Sequence, residues 1–265
     1  RRFLIAQKSF GRGVALMTIP SISILIPAKN ETANLPVLLG EIQRAMQPRE
    51  DYEVLVVDDG STDGTFATLQ GVQRDGFAAL RIFRHARSLG QSTSLYRAAQ
   101  RARGSWLVTL DGDGQNDPAD IPRLLALVEG TEGDPAGIKL LAGHRVNRRD
   151  TFIKRISSRF ANGLRAWILR DDTPDTGCGL KVIARDVFLQ LPYFDHMHRF
   201  IPAMVQRHGF RKMVVPVNHR HRIGGRSNYG TIDRALVGIV DLFGVSWLLL
   251  RTRLYCATEE TESAK

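Results

Sequence analysis

The stretch Trp106-Leu107-Val108-Thr109-Leu110-Asp111-Gly112-Asp113-Gly114-Gln115 decides the fold of this 265-residue chain. Its apolar half is typical of a buried strand, and the carboxylates of Asp111 and Asp113 follow where that strand ends. Ligands bind at the carboxyl ends of strands in open α/β sheets. Oxygen ligands suit Mg²⁺ or Mn²⁺ better than zinc, and such ions usually complete their coordination with water and substrate phosphates. The stretch therefore predicts a metal and diphosphate site, although Asp and Gly also favour ordinary turns.

Strand and helix patterns alternate before this stretch. Apolar residues at helical spacing follow the first strand, between Leu35 and Met46. Gly90 opens a predicted helix that runs to Arg103, and the backbone amides at such a helix start suit a phosphate. The predicted strands cover residues 22–26, 54–57, 80–83 and 106–110. This alternation predicts an α/β fold with a mostly parallel sheet flanked by helices, in one catalytic domain at residues 17–230.

Polar residues also follow the first two predicted strands. Asn30 and Glu31 come after the first strand, and Asp58 and Asp59 come after the second. The turn after the first strand lacks the glycine fingerprint of dinucleotide-binding folds, and the sequence has no Walker lysine loop. Because the carboxyl ends of parallel strands share one edge of a sheet, we expect these residues to converge with Asp111 in a nucleotide and metal cleft.

The charge of the chain is unevenly distributed. The formal net charge is +10, and residues 131–230 hold 18 Lys and Arg against 8 Asp and Glu. This excess predicts an anionic partner, whether lipid phosphate, a membrane surface or nucleic acid. We expect no nucleic acid, because neither zinc spacing nor an aromatic RNA-binding signature accompanies the charge. Two cysteines, Cys178 and Cys256, make neither a disulfide framework nor a metal cluster, which indicates a reducing compartment.

The two ends of the chain differ from its middle. Residues 1–16 are basic and precede Met17, a candidate natural start, in which case this extension is non-native. Residues 235–250 are apolar at 12 of 16 positions, but ~24 Å of helix is short of a ~30 Å hydrocarbon core. We therefore expect residues 231–256 to form an interfacial helix, followed by an acidic tail at 257–265. The alternative is a helix packed on its own domain or in a homo-oligomer.

These motifs together resemble the inverting family-2 glycosyltransferases of the GT-A fold, most closely the polyprenyl-phosphate type. The resemblance runs from about Ser21 to Tyr229. It implies a nucleotide-sugar donor, a Mg²⁺ or Mn²⁺ cofactor held by Asp111, Asp113 and Gln115, and a second nucleotide loop at Asp58-Asp59-Gly60-Ser61, in which Asp59 reaches the base. The donor-binding residues implied are Pro27, Ala28, Asn30, Glu31, Asp58, Asp59, Gly90, Asp111, Gly112, Asp113, Gln115, Arg222 and Ser227.

The second half carries further matches to this family. Arg145 lies in a Gly-His-Arg segment, Arg155 lies on a predicted helix that binds the acceptor phosphate in these enzymes, and Arg222 with Ser227 resembles a loop that closes over the diphosphate. Residues 175–181 match a motif of the Asp-x-x-Ser-Gly-Phe-basic type. The catalytic set implied is Asp113, Arg145, Arg155 and Arg222.

The groups that each kind of acceptor needs limit the reactions to consider. Sugar transfer from a nucleotide diphosphate needs the charge of the leaving phosphate neutralised by a metal ion and an arginine. A polyprenyl phosphate is already an anionic nucleophile and needs arginines rather than a base, whereas a hydroxyl acceptor needs a general base, for which Asp175 is the candidate. We expect Arg148, Arg149 and Arg165 to lie on a solvated face.

The sequence therefore predicts a glycosyltransferase that moves a sugar from a GDP- or UDP-sugar to polyprenyl phosphate with inversion, bound at the cytoplasmic face of the cell membrane. One alternative is a GT-A enzyme that uses the same donor site and acts on a sugar or glycan hydroxyl. The other is a non-catalytic protein that binds anionic lipid.

Overall fold

The computed structural model describes residues 20–129, 137–146, 163, 165–220 and 231–251, with the backbone alone for 231–237. The strands are β1 Ile22–Ala28, β2 Tyr52–Asp58, β3 Leu80–Arg84, β4 Trp106–Thr109, β5 Ile138–Arg145, β6 Lys181–Ala184 and β7 Arg211–Val217. The α-helices are α1 Leu35–Ala45, α2 Thr65–Arg74, α3 Gln91–Arg101, α4 Ile121–Leu125, α5 Arg185–Gln190, α6 Ile201–Arg207 and α7 Thr231–Arg251. Short 3₁₀ helices lie at Pro118–Asp120 and Met197–Arg199.

The seven strands form one sheet in the order β3-β2-β1-β4-β6-β5-β7. Strands β1 to β4 pair in parallel, as do β5 and β7, while β6 runs antiparallel to both of its neighbours. The predicted mostly parallel sheet is therefore confirmed. In the pairing of β4 with β6, Thr109 lies opposite Lys181, so the residues after β4 and those before β6 meet at one edge.

Helices cover the sheet because its strands are apolar on both faces. Residues 24–26 of β1 and 54–56 of β2 have no exposed surface. Helix α1 buries Leu35, Leu38, Leu39 and Ile42, the side that the helical spacing predicted. Each such side chain stabilises the fold by about 1.5–3 kcal/mol relative to an exposed one. This core holds the strand ends of the first half in fixed positions.

Helix α7 has two different faces. Leu242, Val245 and Leu249 are buried against the domain, whereas the apolar side chains of Phe243 and Trp247 are 65% and 61% exposed. Arg207 Nε of α6 donates a hydrogen bond of 2.8 Å to Leu249 O, which fastens the end of α7 to the domain. In the described part of the chain, no helix is both long enough and apolar enough to cross a bilayer. The packed face thus matches the alternative considered for this segment, and an apolar face remains open beside it.

Candidate active site

Asp111 lies at the carboxyl end of β4, where several groups fix its carboxylate. Gln91 Nε2, at the start of α3, donates to Asp111 Oδ1 at 2.8 Å. The backbone amide of Asp111 donates to Asn116 Oδ1 at 3.3 Å. A Cβ atom at position 179 would overlap the Asp111 carboxylate and come within 2.7 Å of Asn116 Oδ1, so only glycine fits at Gly179. The carboxylate therefore has a set position at the edge predicted from the sequence.

Asp111 is also electrostatically unusual. Burial, and after it the negative charge of Asp113, raises the pKa of Asp111 to about 6, although Lys181 and Arg145 act in the opposite direction. Two carboxylates so close together are stabilised by a cation. Within the described residues, no group of three or more His, Cys, Asp or Glu residues has the geometry to hold a metal ion. Asp111, Asp113 and Gln115, the predicted ligands, carry the oxygen atoms that a hard divalent ion takes, and such an ion usually completes its coordination with substrate and water.

The loops after β1 and β2 hold each other through hydrogen bonds. Asn30 has a left-handed backbone (φ 58°); its amide donates to Ser61 Oγ at 2.9 Å, and its Oδ1 accepts from Thr62 N at 2.8 Å. The amide of the buried Glu31 donates to Thr65 Oγ1 at 3.0 Å. The predicted neighbours Pro27 and Ala28 end β1. The carbonyl oxygen of Pro27 would lie 3.1 Å from a Cβ atom at Gly112.

Asp58 and Asp59 are both buried at the end of β2. Asp58 Oδ1 accepts from Ser61 N at 2.9 Å, and its other oxygen lies 3.2 Å from Arg84 Nε. Asp59 meets four donors in residues 85–90: His85 Nδ1, Ser88 Oγ, Leu89 N and Gly90 N, at 2.7–2.9 Å. Burial opposes its ionisation, but these hydrogen bonds outweigh burial and lower the pKa of Asp59. The amide of Gly90, which the sequence suggested for a phosphate, thus donates its hydrogen bond to Asp59.

A cavity of about 330 Å³ joins two of the three predicted metal ligands to the second half of the chain. Asp111 and Gln115 line one side, and Arg145 and Lys181 line another. Arg145 makes a bidentate pair with Asp175, with Nε to Oδ2 and Nη2 to Oδ1 both at 2.7 Å. Burial opposes the charge of Arg145, yet Asp175 raises its pKa above the ordinary value. The structure thus brings predicted metal ligands and one predicted phosphate-binding arginine to the same cavity.

The lining residues that were not predicted as site residues include Gln91, Lys181, His198 and Arg199. Lys181 is 4% exposed and its Nζ donates to Cys178 O, while burial lowers its pKa. His198 Nδ1 lies 2.8 Å from Ser92 Oγ. Burial, followed by the charges of Lys181 and Arg199, holds the pKa of His198 well below its ordinary value, so this imidazole is neutral near pH 7. Matches to the family motif pointed to Lys181, but no sequence signal marked His198.

The expectation that Arg165 lies on a solvated face is wrong. Its side chain is buried, and Nη1 donates to Asp171 Oδ2 at 2.9 Å. Lys212 Nζ pairs with the other oxygen of Asp171, and Thr173 N donates to that oxygen at 3.0 Å. These groups fix the loop that leads to Asp175. Charge composition alone could not separate Arg165 from exposed arginines, because its partners are brought together only by the fold.

Five residues that were singled out in the sequence lie outside the described residues, as do the predicted basic extension at 1–16 and the acidic tail at 257–265. The five are the predicted catalytic or donor-binding residues Arg155, Arg222 and Ser227 and the expected surface residues Arg148 and Arg149. Their positions stay predictions.

The sheet order, with Asp111 and Asp113 just after β4, is that of a GT-A-like fold. The model of the family described as Glycosyl transferase family 2 matches residues 23–191. The chain therefore belongs to glycosyl transferase family 2. Dodecaprenyl-phosphate galacturonate synthase of Rhizobium johnstonii is 37% identical over 240 residues, which cover 86% of this chain and 67% of that protein.

Other proteins agree with this assignment. An undecaprenyl-phosphate 4-deoxy-4-formamido-L-arabinose transferase of Edwardsiella ictaluri is 31% identical over 215 residues, covering 80% of this chain and 64% of that protein. The chain thus spans about two thirds of the length of these relatives. A mannosyltransferase of Pyrobaculum calidifontis, solved with GDP-Man and Mn²⁺, has a TM-score of 0.64 at 19% identity, covering 89% of this chain and 66% of that one. Glucosyl-3-phosphoglycerate synthase of Mycobacterium tuberculosis, solved with Mn²⁺, UDP and phosphoglyceric acid, has a TM-score of 0.61 at 19% identity, covering 90% and 84%. These structures share the fold.

Proposed function

We propose that this protein transfers a sugar from a GDP- or UDP-sugar to a polyprenyl phosphate with inversion. The observation that carries the proposal is the single cavity that joins the oxygen ligands Asp111 and Gln115 to the cations Arg145 and Lys181. Such a cavity suits a metal-bound diphosphate next to a second phosphate. The names of two relatives specify dodecaprenyl and undecaprenyl phosphate, which supports a lipid phosphate acceptor.

On the donor side, Asp111, Asp113 and Gln115 would hold Mg²⁺ or Mn²⁺, which neutralises charge on the departing nucleotide diphosphate. Gln91 and Asn116 keep Asp111 in place for this role. The loops at Asn30 and Asp58 border the same edge of the sheet and suit the nucleotide. Arg222 and Ser227 complete the proposed donor set, and the relatives solved with Mn²⁺ share this fold.

On the acceptor side, Arg145 and Arg155 would bind and orient the lipid phosphate, whose anionic oxygen needs no base to attack the sugar. Asp175 is the candidate base for a hydroxyl acceptor, but both its oxygens accept hydrogen bonds from Arg145. The low pKa of His198 makes its imidazole a weak base. The pairing of Asp175 thus favours phosphate over a sugar or glycan hydroxyl, which remains the second candidate acceptor.

The open face of α7 supports a peripheral or monotopic position on a membrane, which we place at its cytoplasmic face. Its exposed apolar residues are Ile239, Val240, Phe243, Trp247 and Leu250. A bilayer interface accepts such a face, and Arg251 at the end of the helix suits anionic headgroups. The acceptor is a membrane lipid, so this position would bring the cavity to its substrate.

The proposed reaction is tested by incubating nucleotide sugars with Mn²⁺, with and without polyprenyl phosphate. We expect metal-dependent formation of a lipid-linked sugar with inverted anomeric configuration. Transfer only to added glycans would favour the hydroxyl acceptor. Binding of anionic lipid with no donor turnover across GDP- and UDP-sugars would leave the non-catalytic alternative.

Membrane binding is tested by replacing two exposed residues of α7 together, Phe243→Ser and Trp247→Ser. We expect the variant to lose flotation with anionic liposomes while its melting temperature changes little, since both side chains lie outside the packed face. The matched control is Leu242→Ser on the packed face, which should lower the melting temperature because large core truncations cost about 2–5 kcal/mol. Unchanged flotation of the double variant would contradict the interfacial position.

A further inference from the structure

Residues 195–199 connect α7 to the cavity, and we call them the 195–199 strut. At its outer end, His196 has a left-handed backbone (φ 63°), which a residue with a side chain adopts at a cost. His196 Nδ1 lies 2.9 Å from Asp241 Oδ2 on α7. The separation is that of a close polar contact, without the alignment of a hydrogen bond. A strained residue thus faces a carboxylate on a different element.

At its inner end, the strut enters the active-site cavity. His198 and Arg199 both line the cavity. Ser92 Oγ lies 2.8 Å from His198 Nδ1 and accepts a second hydrogen bond from the backbone amide of His198 at 3.3 Å. Ser92 follows Gln91, which donates to Asp111. The first turn of α3 therefore holds the strut on one side and a predicted metal ligand on the other.

Asp241 is a carboxylate in a largely apolar helix, at a position with little exposure to solvent. It lies beside Leu242 on the side of α7 that turns toward the domain, and its side chain is only 18% exposed. Placing a carboxylate in such a site costs free energy unless a partner compensates for the lost water. The imidazole of His196 is that partner, so the location of Asp241 has an explanation in the strut rather than in packing.

We propose that Asp241 is a positioning residue, which holds His198 and Arg199 in the cavity through His196. The inference rests on the proposed function, because it assigns the strut to the acceptor phosphate rather than to the donor. Arg199, a second arginine in the cavity lining besides Arg145, suits a phosphate, and His198 suits a neutral hydrogen-bonding contact. Helix α7 then contributes to the site without contacting substrate.

The test compares Asp241→Asn, His198→Ala and the double variant. We expect Asp241→Asn to lower kcat/KM for polyprenyl phosphate about ten-fold and to leave the KM for the nucleotide sugar unchanged. If Asp241 acts through His198 and Arg199, the double variant should lose less than the sum of the two single losses. Additive losses, or an equal rise in KM for both substrates, would overturn the proposal.

Two further variants separate positioning from simple packing. Arg207→Gln removes a different contact to α7, the hydrogen bond to Leu249 O, and should leave the kinetics of acceptor transfer unchanged. His196→Gly suits the left-handed backbone while removing the imidazole, so it should reproduce the effect of Asp241→Asn without unfolding. An equal effect of Arg207→Gln, or normal transfer by His196→Gly, would show that α7 acts by packing alone.

Hydrogen exchange gives a readout that is independent of activity. Amides of residues 197–200 should exchange faster in Asp241→Asn than in the wild-type protein, with no such change in Arg207→Gln. Unchanged exchange would overturn the strut even if transfer is impaired. If the wild-type protein lacks lipid-phosphate transfer, the proposed function fails, while the exchange experiment still decides whether Asp241 holds the strut.

Discussion

The regions proposed to bind the donor and the acceptor are held together by different interactions. On the side proposed for the donor, the loops after β1 and β2 are fixed mainly by backbone amides and hydroxyl groups, as between Asn30 and Ser61 or around Asp59. On the side proposed for the acceptor, Arg145 and Asp175 form a bidentate ion pair, and Asp171 pairs with two cations.

This difference separates two ways to build a polar site. Turn residues can hold a carboxylate with amide and hydroxyl donors from a neighbouring loop, as residues 88–90 hold Asp59. Buried ion pairs compensate charge, but removing one partner leaves the other without it, at a cost of about 3–5 kcal/mol. Removing the charge of a predicted metal ligand such as Asp113 should therefore cost activity without stability, and removing that of Arg145 should cost both. Removing the charge of Asp59, which donors of a neighbouring loop hold, should cost mainly stability.

The largest expected effect is on the donor side. Asp113→Asn should reduce metal-dependent donor turnover at least about 100-fold, because it removes half of the negative charge offered to the ion. The protein should stay folded, since Asn keeps the oxygen that accepts from Gln115 N at 3.1 Å. Turnover at saturating Mn²⁺ is the measurement, and Asp75→Asn, an exposed carboxylate at the end of α2, is the control. Undiminished turnover would remove Asp113 from the metal site.

On the acceptor side, we expect a smaller loss of activity together with a loss of stability. Arg145→Ala should raise the KM for lipid phosphate about 10- to 100-fold, the range for a lost charge-assisted hydrogen bond, and change the KM for donor far less. It should also lower the free energy of unfolding, because Asp175 loses its partner. Arg97→Ala, at an exposed position of α3, should change neither. A Michaelis constant that rises equally for both substrates would refute an acceptor role, and unchanged urea unfolding would refute the structural one.

The smallest expected change in activity is at Asp59, where the effect falls on stability. Asp59→Asn weakens four hydrogen bonds to residues 85–90, at about 1–3 kcal/mol. The pKa of Asp59 is lowered in the folded state, so its contribution is complete above its ordinary pKa of about 3.9 and is lost as pH falls through the lower folded value. Urea unfolding of variant and wild type should differ near pH 7 and converge in strong acid. A difference in unfolding free energy between variant and wild type that persists in strong acid would contradict this role of Asp59.

The sequence predicted those features of the fold that depend on residues close together in the chain. Apolar runs located β1 to β4, and acidic residues at their ends located the predicted metal edge. Helical spacing placed α1 and α3 within a few residues. These features depend on neighbours in the chain, so pattern and turn chemistry are sufficient to find them.

What could not be predicted depends on partners distant in sequence. Arg165 is buried because Asp171 and Lys212 meet it in the fold, and Asp175 is engaged by Arg145 thirty positions away. His198 lines the cavity because Ser92, on an earlier helix, faces it. No periodicity marks such pairs, since each residue alone resembles an ordinary surface charge or loop residue.

During synthesis, Asp111 and Asp113 leave the ribosome well before the residues that complete the cavity around them. Strands β1 to β4 emerge first and pair in parallel among themselves, but the far side of β4 stays uncovered until β6 arrives. Thr109 Oγ1 then donates to Gly179 O at 2.6 Å, which closes the lining beside Asp111. A ribosome-bound fragment that stops before Lys181 therefore presents Asp111 and Asp113 to solvent with an open strand edge beside them, a template for unwanted pairing. Co-translational folding of this protein should accordingly depend on how soon the four residues of β6 emerge and pair with β4.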